Sequence, residues 1–98
     1  MEEKYVIDRF SPHVGTTFRV AVGDGEPVVL ELIEAKPLTP SPCAPRQDPF
    51  ALMFRGPVDL FFPQNIYAIS HPLLGTMELF LIPRQPDPDG SYFECIFN

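Results

Sequence analysis

"TTFRVAVGDGEPVVLELIEA", Thr16–Ala35, is the stretch on which the fold turns. In its first part Phe18, Val20 and Val22 share one parity, and Thr17, Arg19 and Ala21 share the other. A period of two places the first set on one face of an extended chain and the second on the opposite face, as in a half-buried strand. "GDGEP", Gly23–Pro27, follows as a turn cluster whose glycines accept positive φ. In "VVLELIEA", Val28, Leu30 and Leu32 fall on one face and Val29, Glu31 and Ile33 on the other. Two such runs joined by a tight turn predict a β-hairpin.

The same period recurs on either side. "FALMFR" turns Phe50, Leu52 and Phe54 inward and Ala51, Met53 and Arg55 outward. Ile66–Ser70, Thr76–Pro83 and Tyr92–Phe97 give three more strands, separated by "HPLLG" and "RQPDPDG". In the first of these turns Pro72 ends a strand, Gly75 supplies permissive backbone, and His71 is placed to cap the turn through a nearby carbonyl or carboxylate. "VDLFFP", Val58–Pro63, reads either as a short edge strand or as a loop folded over an open end of the core. Ser11 followed by Pro12 predicts one short helical turn near the N-terminus, stopped by Gly15, with Phe10 and Val14 plugging an end of the barrel.

Lys36–Pro49, "KPLTPSPCAPRQDP", holds five prolines in fourteen residues and is expected to be a crossing loop, partly polyproline II. Its PxxP spacings, Pro37/Pro40 and Pro42/Pro45, fit a stiff surface connection better than a ligand for an aromatic groove. The expected fold is all-β: one domain over residues 1–98, a small six-stranded antiparallel barrel or compact sandwich with one short N-terminal helical turn.

Composition narrows the functions. The 98 residues carry a net charge of −6, and the seven Lys and Arg are scattered singly, so nucleic acid and anionic lipid are not expected partners. No apolar run approaches the roughly 18 residues of a membrane span, so membrane insertion is not expected. "MEEKYVIDRF" lacks a basic stretch leading into an apolar one, which makes a cytoplasmic location the expectation. Without an export signal, Cys43 and Cys95 are expected to be unpaired thiols.

Catalytic groups are few. His13 and His71 lie in different turns, and a triad of Ser70, His71 and Asp59 fails because adjacent strand residues point to opposite faces. "DPDG", Asp87–Gly90, resembles the start of a calcium loop, but its later ligands are missing, so it reads as a hairpin turn. "VGDGEP" has neither the helix start nor the lysine of a phosphate loop. No metal, cofactor or enzymatic activity is therefore expected.

The remaining signal is apolar side chains on both faces of several strands. A barrel this small has one interior, so outward Val29, Ile33, Met53, Phe80 and Ile82, with Phe61 and Phe62 beside them, predict a surface covered by a protein partner or a second copy. The alternative is a small-ligand or peptide site at the barrel mouth, lined by Phe54, Tyr67 and His71.

"FSPHVGTTF" (Phe10–Phe18), "FRGP" (Phe54–Pro57), "PQNIYAISHPLLGTMELFLIPR" (Pro63–Arg84) and the closing "FECIFN" (Phe93–Asn98) together resemble a family of small bacterial domains of unknown function. Asn65 stands where that family's pattern has glycine. The resemblance brings no catalytic residue. It implies a structural or adaptor role, with members encoded near phage-tail-collar-like or surface-display components.

Overall fold

A computed structural model of the chain describes residues 5–39 and 49–97. The described strands are β1 Thr17–Val20, β2 Val28–Pro37, β3 Phe50–Gly56, β4 Asn65–His71, β5 Gly75–Pro83 and β6 Ser91–Phe97. All pairings are antiparallel, and the strands close into a barrel in the order β1-β2-β3-β6-β5-β4. Of the two expected architectures, the barrel is the one formed.

Period two places the core. Phe18 and Val20 of β1, Leu30 and Leu32 of β2, and Phe50, Leu52 and Phe54 of β3 all point inward and are buried. They meet Ile69, Met77, Leu79, Leu81, Phe93 and Cys95 from the other three strands. Each fully buried Phe contributes about 1.5–3 kcal/mol of transfer free energy, so the aromatic rings carry much of the stability.

β2 departs from strict alternation. Leu32 pairs with Phe54 but Glu34 pairs with Met53, which leaves Ile33 as the extra residue of a β-bulge. Strict alternation from Leu30 and Leu32 would have turned Glu34 into the core. The bulge shifts the phase by one, so Glu34 is exposed and Ala35 packs against the core opposite Leu52. It also carries β2 on to Pro37, two residues past the end of the hydrophobic pattern.

Two segments close the ends. β3 and β4 are separated by β6 and β5 in the barrel order, so residues 57–64 must cross one end. They form no strand. Phe62 instead drops into the core and stacks on Phe93, with centroids 4.1 Å apart and planes 5° from parallel. At the other end a helical turn, α1 Ile7–Phe10, and a 3₁₀ turn over Ser11–His13 lower Phe10 onto Phe50 and Phe97. The helix therefore begins earlier than Ser11, which closes it by donating from Oγ to the Ile7 carbonyl at 3.1 Å. Val14 is 42% exposed and takes no part in the plug. The 3₁₀ turn has already ended before it, and its extended backbone turns the side chain outward.

Cys95 is a free, buried thiol whose pKa burial pushes up to about 12, so it packs as a small apolar group rather than a nucleophile. Cys43, most of the proline-rich loop and both expected PxxP pairs (the second wholly, the first at Pro40) lie outside the described residues.

Candidate interaction surface

The outer face of the barrel is set by strand register. Across three strands Glu31, Arg55 and Tyr92 form one row, and Met53, Glu94 and Ile82 form the next. Ile33, pushed out by the bulge, stands beside the second row. Arg55 donates from Nη2 to Glu31 Oε1 at 3.1 Å, and that carboxylate, followed by Tyr92, holds the guanidinium above its ordinary pKa. Arg84 Nε approaches Glu94 Oε1 at 3.1 Å without hydrogen-bond alignment, so this buried oxygen is compensated by charge alone.

The turn between β5 and β6 rises over these rows. Asp87 Oδ1 accepts from the backbone N–H groups of Asp89 at 2.8 Å and Gly90 at 3.2 Å. The Tyr92 hydroxyl reaches both Asp87 carboxylate oxygens at 3.0 Å. Desolvation, with Asp87 adding to it, raises the phenol pKa above the ordinary tyrosine value, while Arg55 pulls the other way. "DPDG" is thus a hairpin turn whose carboxylate is spent on amides and a phenol. Gly90 is required there: a Cβ would collide with the Gly56 carbonyl and come within 2.9 Å of Arg55 Cγ. Among the described residues no cluster of His, Cys, Asp and Glu could hold a metal ion.

Two shallow depressions flank this turn. The first, about 570 Å³, is lined by Val58, Leu60, Phe61 and Phe93 together with the carboxylates Asp59 and Asp87. The second, about 720 Å³, is floored by Ile33 and Met53. Pro83, Arg84, Pro86 and Tyr92 line both and form the ridge between them. Asp59, at φ 73°, sits at the third position of a turn closed by the Leu60 N–H to the Pro57 carbonyl.

The structure thus gathers Ile33, Met53 and Phe61 around one ridge, with Ile82 in the Met53 row. Phe61 is 71% exposed. Phe80 lies two residues further along β5, paired with the exposed Ile66, and Val29 is paired with Arg19 on the β1 side. Phe62 does not belong to this surface. It is 1% exposed, because the loop that lifts Phe61 outward turns its neighbour in as the stopper of that end. Sequence reasoning points to Tyr92 and Ile96 as further outward residues of the last strand, but it missed Val58, Pro83 and Pro86. Their common signal is proline flanking a turn beside an aromatic residue, which reads in sequence as a simple strand boundary.

Phe54, Tyr67 and His71 do not share one lining. Phe54 is fully buried with its ring 5.3 Å from Phe18, while Tyr67 leans on Phe62 at 4.7 Å and donates to the Pro63 carbonyl. His71 is buried at the opposite end. Its Nδ1 accepts from the Leu73 N–H at 3.0 Å, which leaves the proton on Nε2 to donate to Thr16 Oγ1 at 3.0 Å. Thr16 passes a bond on to the His13 carbonyl at 2.6 Å. Burial, then the neighbouring His13 ring, lowers the His71 pKa and favours this neutral form. His71 therefore caps its turn as an acceptor from the backbone, where its donor nitrogen had been expected to find a carbonyl or carboxylate. It also ties the turn to the N-terminal segment.

The domains of unknown function grouped as DUF6916 match residues 5–97 of this chain. The chain belongs to that family. The DUF6916 match takes in every described strand and both end segments. No curated protein and no solved structure matches the chain. Among the described residues no helix of this DUF6916 domain is long and apolar enough to cross a membrane.

Proposed function

We propose that this domain is a non-enzymatic protein-interaction module, an accessory or adaptor subunit of a larger assembly. The observation that carries the reading is the placing of large apolar side chains on the outside of a barrel whose interior is already filled. Phe61, Ile66, Phe80 and Ile96 stand exposed around a core in which Phe18, Phe54, Phe62 and Phe93 leave the interior packed with rings. A phage-tail-like or bacterial surface assembly is the setting suggested by the sequence resemblance.

A ligand held inside the barrel has less support, since Phe54 is enclosed and both ring nitrogens of His71 are committed. The reading predicts a stoichiometric partner or a defined oligomer. Light scattering on the purified chain, with capture of partners from its native lysate, tests it. Phe61→Ser combined with Phe80→Ser should abolish the association while the fold persists. A strictly monomeric chain that captures nothing would overturn the proposal.

A further inference from the structure

The two depressions are open troughs on either side of one ridge, and that geometry selects among partners. β3, which runs under the second trough, offers no free edge to an added strand, because the barrel is closed and β3 is paired on both sides along its length. An amphipathic helix needs one continuous groove for a stripe of side chains, and the ridge of Pro83, Pro86 and Tyr92 interrupts it. A polyproline II chain has the required form. It turns every three residues and makes no internal hydrogen bonds, so two of its three faces set rings into neighbouring troughs across a ridge.

Charge narrows the partner further. The first trough carries Asp59 and Asp87, while the adjoining cations are taken up: Arg84 by Glu94 and Arg55 by Glu31, each at 3.1 Å. The protein as a whole carries −6. A basic residue on the ligand therefore meets Asp59, whose carboxylate has no ion pair among the described residues, while Asp87 is held by the turn amides and Tyr92. The ridge is also rigid before binding, since Asp87 holds both the turn amides and the Tyr92 hydroxyl, and little order remains to be lost on association.

We propose that this double trough binds an extended proline-rich peptide bearing a basic residue, with its prolines astride the Pro83–Tyr92 ridge and its cation at Asp59. This inference rests on the interaction-module reading and names the partner class for it. Fluorescence anisotropy of a labelled (Ala-Pro-Pro)3-Arg-Arg peptide, titrated with the full chain, is the test. Binding is expected with a Kd on the order of 10–100 μM. Phe61→Ser should weaken it by about tenfold, as removal of a central aromatic contact does. Asp59→Asn, which retains a residue tolerant of positive φ, should weaken it by about threefold at low salt and have no effect on a peptide ending in Gln-Gln.

Absence of binding, equal binding of an (Ala-Gly-Gly)3-Arg-Arg control, or indifference to Phe61→Ser overturns the proposal. Circular dichroism of each variant shows that the barrel has been retained. The two readings fail separately. If a native partner is lost with Phe61→Ser but the proline peptide does not bind, the module stands and the partner class falls. If nothing is captured and nothing binds, both fall.

Discussion

At one end of the barrel the stopper is Phe10, seated on Phe50 and Phe97 and locked from above by a polar chain from Leu73 through His71 and Thr16 to His13. At the other end the stopper is Phe62, stacked on Phe93 and flanked by Tyr67. The first lock combines ring packing with directional hydrogen bonds through a titratable group. The second is built on ring packing, and its loop leaves Phe61 in solvent beside the troughs. The polar end can therefore respond to protons, while the apolar end presents a surface.

The largest effects should come from removing the stoppers. Phe10→Ala and Phe62→Ala should each cost about 3–5 kcal/mol, read as a lowered urea midpoint. Equal stability of either variant with the wild type would show that its end is not a working closure. Next comes Gly90→Ala, which forces the β5–β6 turn away from the Gly56 carbonyl and should cost about 1–3 kcal/mol. It should disturb the Tyr92 ridge without altering the His71 end, which amide chemical shifts would report.

Smaller, and specific to the polar end, is Thr16→Val, expected to cost about 1 kcal/mol through the lost His71 bond. The same end sets the pH response. The folded pKa of His71 is lowered, so the unfolded chain binds the proton more readily. Its contribution is complete above the unfolded value near 6.5 and is lost as pH falls from there through the folded value. Urea midpoints measured from about pH 7 to pH 5 should decline in the wild type and in Phe62→Ala, and less steeply in His71→Gln. An identical slope in His71→Gln would remove His71 as the cause. The smallest effect on stability belongs to Phe61→Ser, within about 0.5 kcal/mol, because its ring is mostly in water already.

The strands were legible because period two is a local property: Phe18, Val20, Phe50, Leu52 and Phe54 are buried as parity predicts, although Ala51, expected outward, is buried as well. The bulge at Ile33 was not. An alternating "VVLELIEA" contains no mark of the extra residue, and only the pairing with β3 reveals why Glu34 is spared the core. Phe61 and Phe62 show the same limit more sharply. Adjacent and chemically identical, they take opposite fates because the loop must cross from β3 to β4, a demand of topology rather than of either residue. His71 was placed correctly at its turn, but its link to Thr16 spans 55 residues and no local pattern announces it. The troughs were half visible: Ile33, Met53 and Phe61 could be named, but the ridge between them depends on how the 84–90 turn folds back.

The closure between β1 and β4 also has a consequence in time. It pairs Arg19 with Ser70 and Val20 with Ile69, whereas the β4–β5 hairpin pairs near neighbours from Asn65↔Leu81 to His71↔Gly75. Bringing the distant pair together costs loop entropy that short hairpins avoid, so the hairpins can form early and the seam should be stitched last. Substitutions at Val20 or Thr16 should then quicken unfolding and leave refolding rates nearly untouched, which stopped-flow measurements would resolve. On that account the lifetime of the native barrel is governed by a short seam and one histidine bond, rather than by the extensive hairpin ladders.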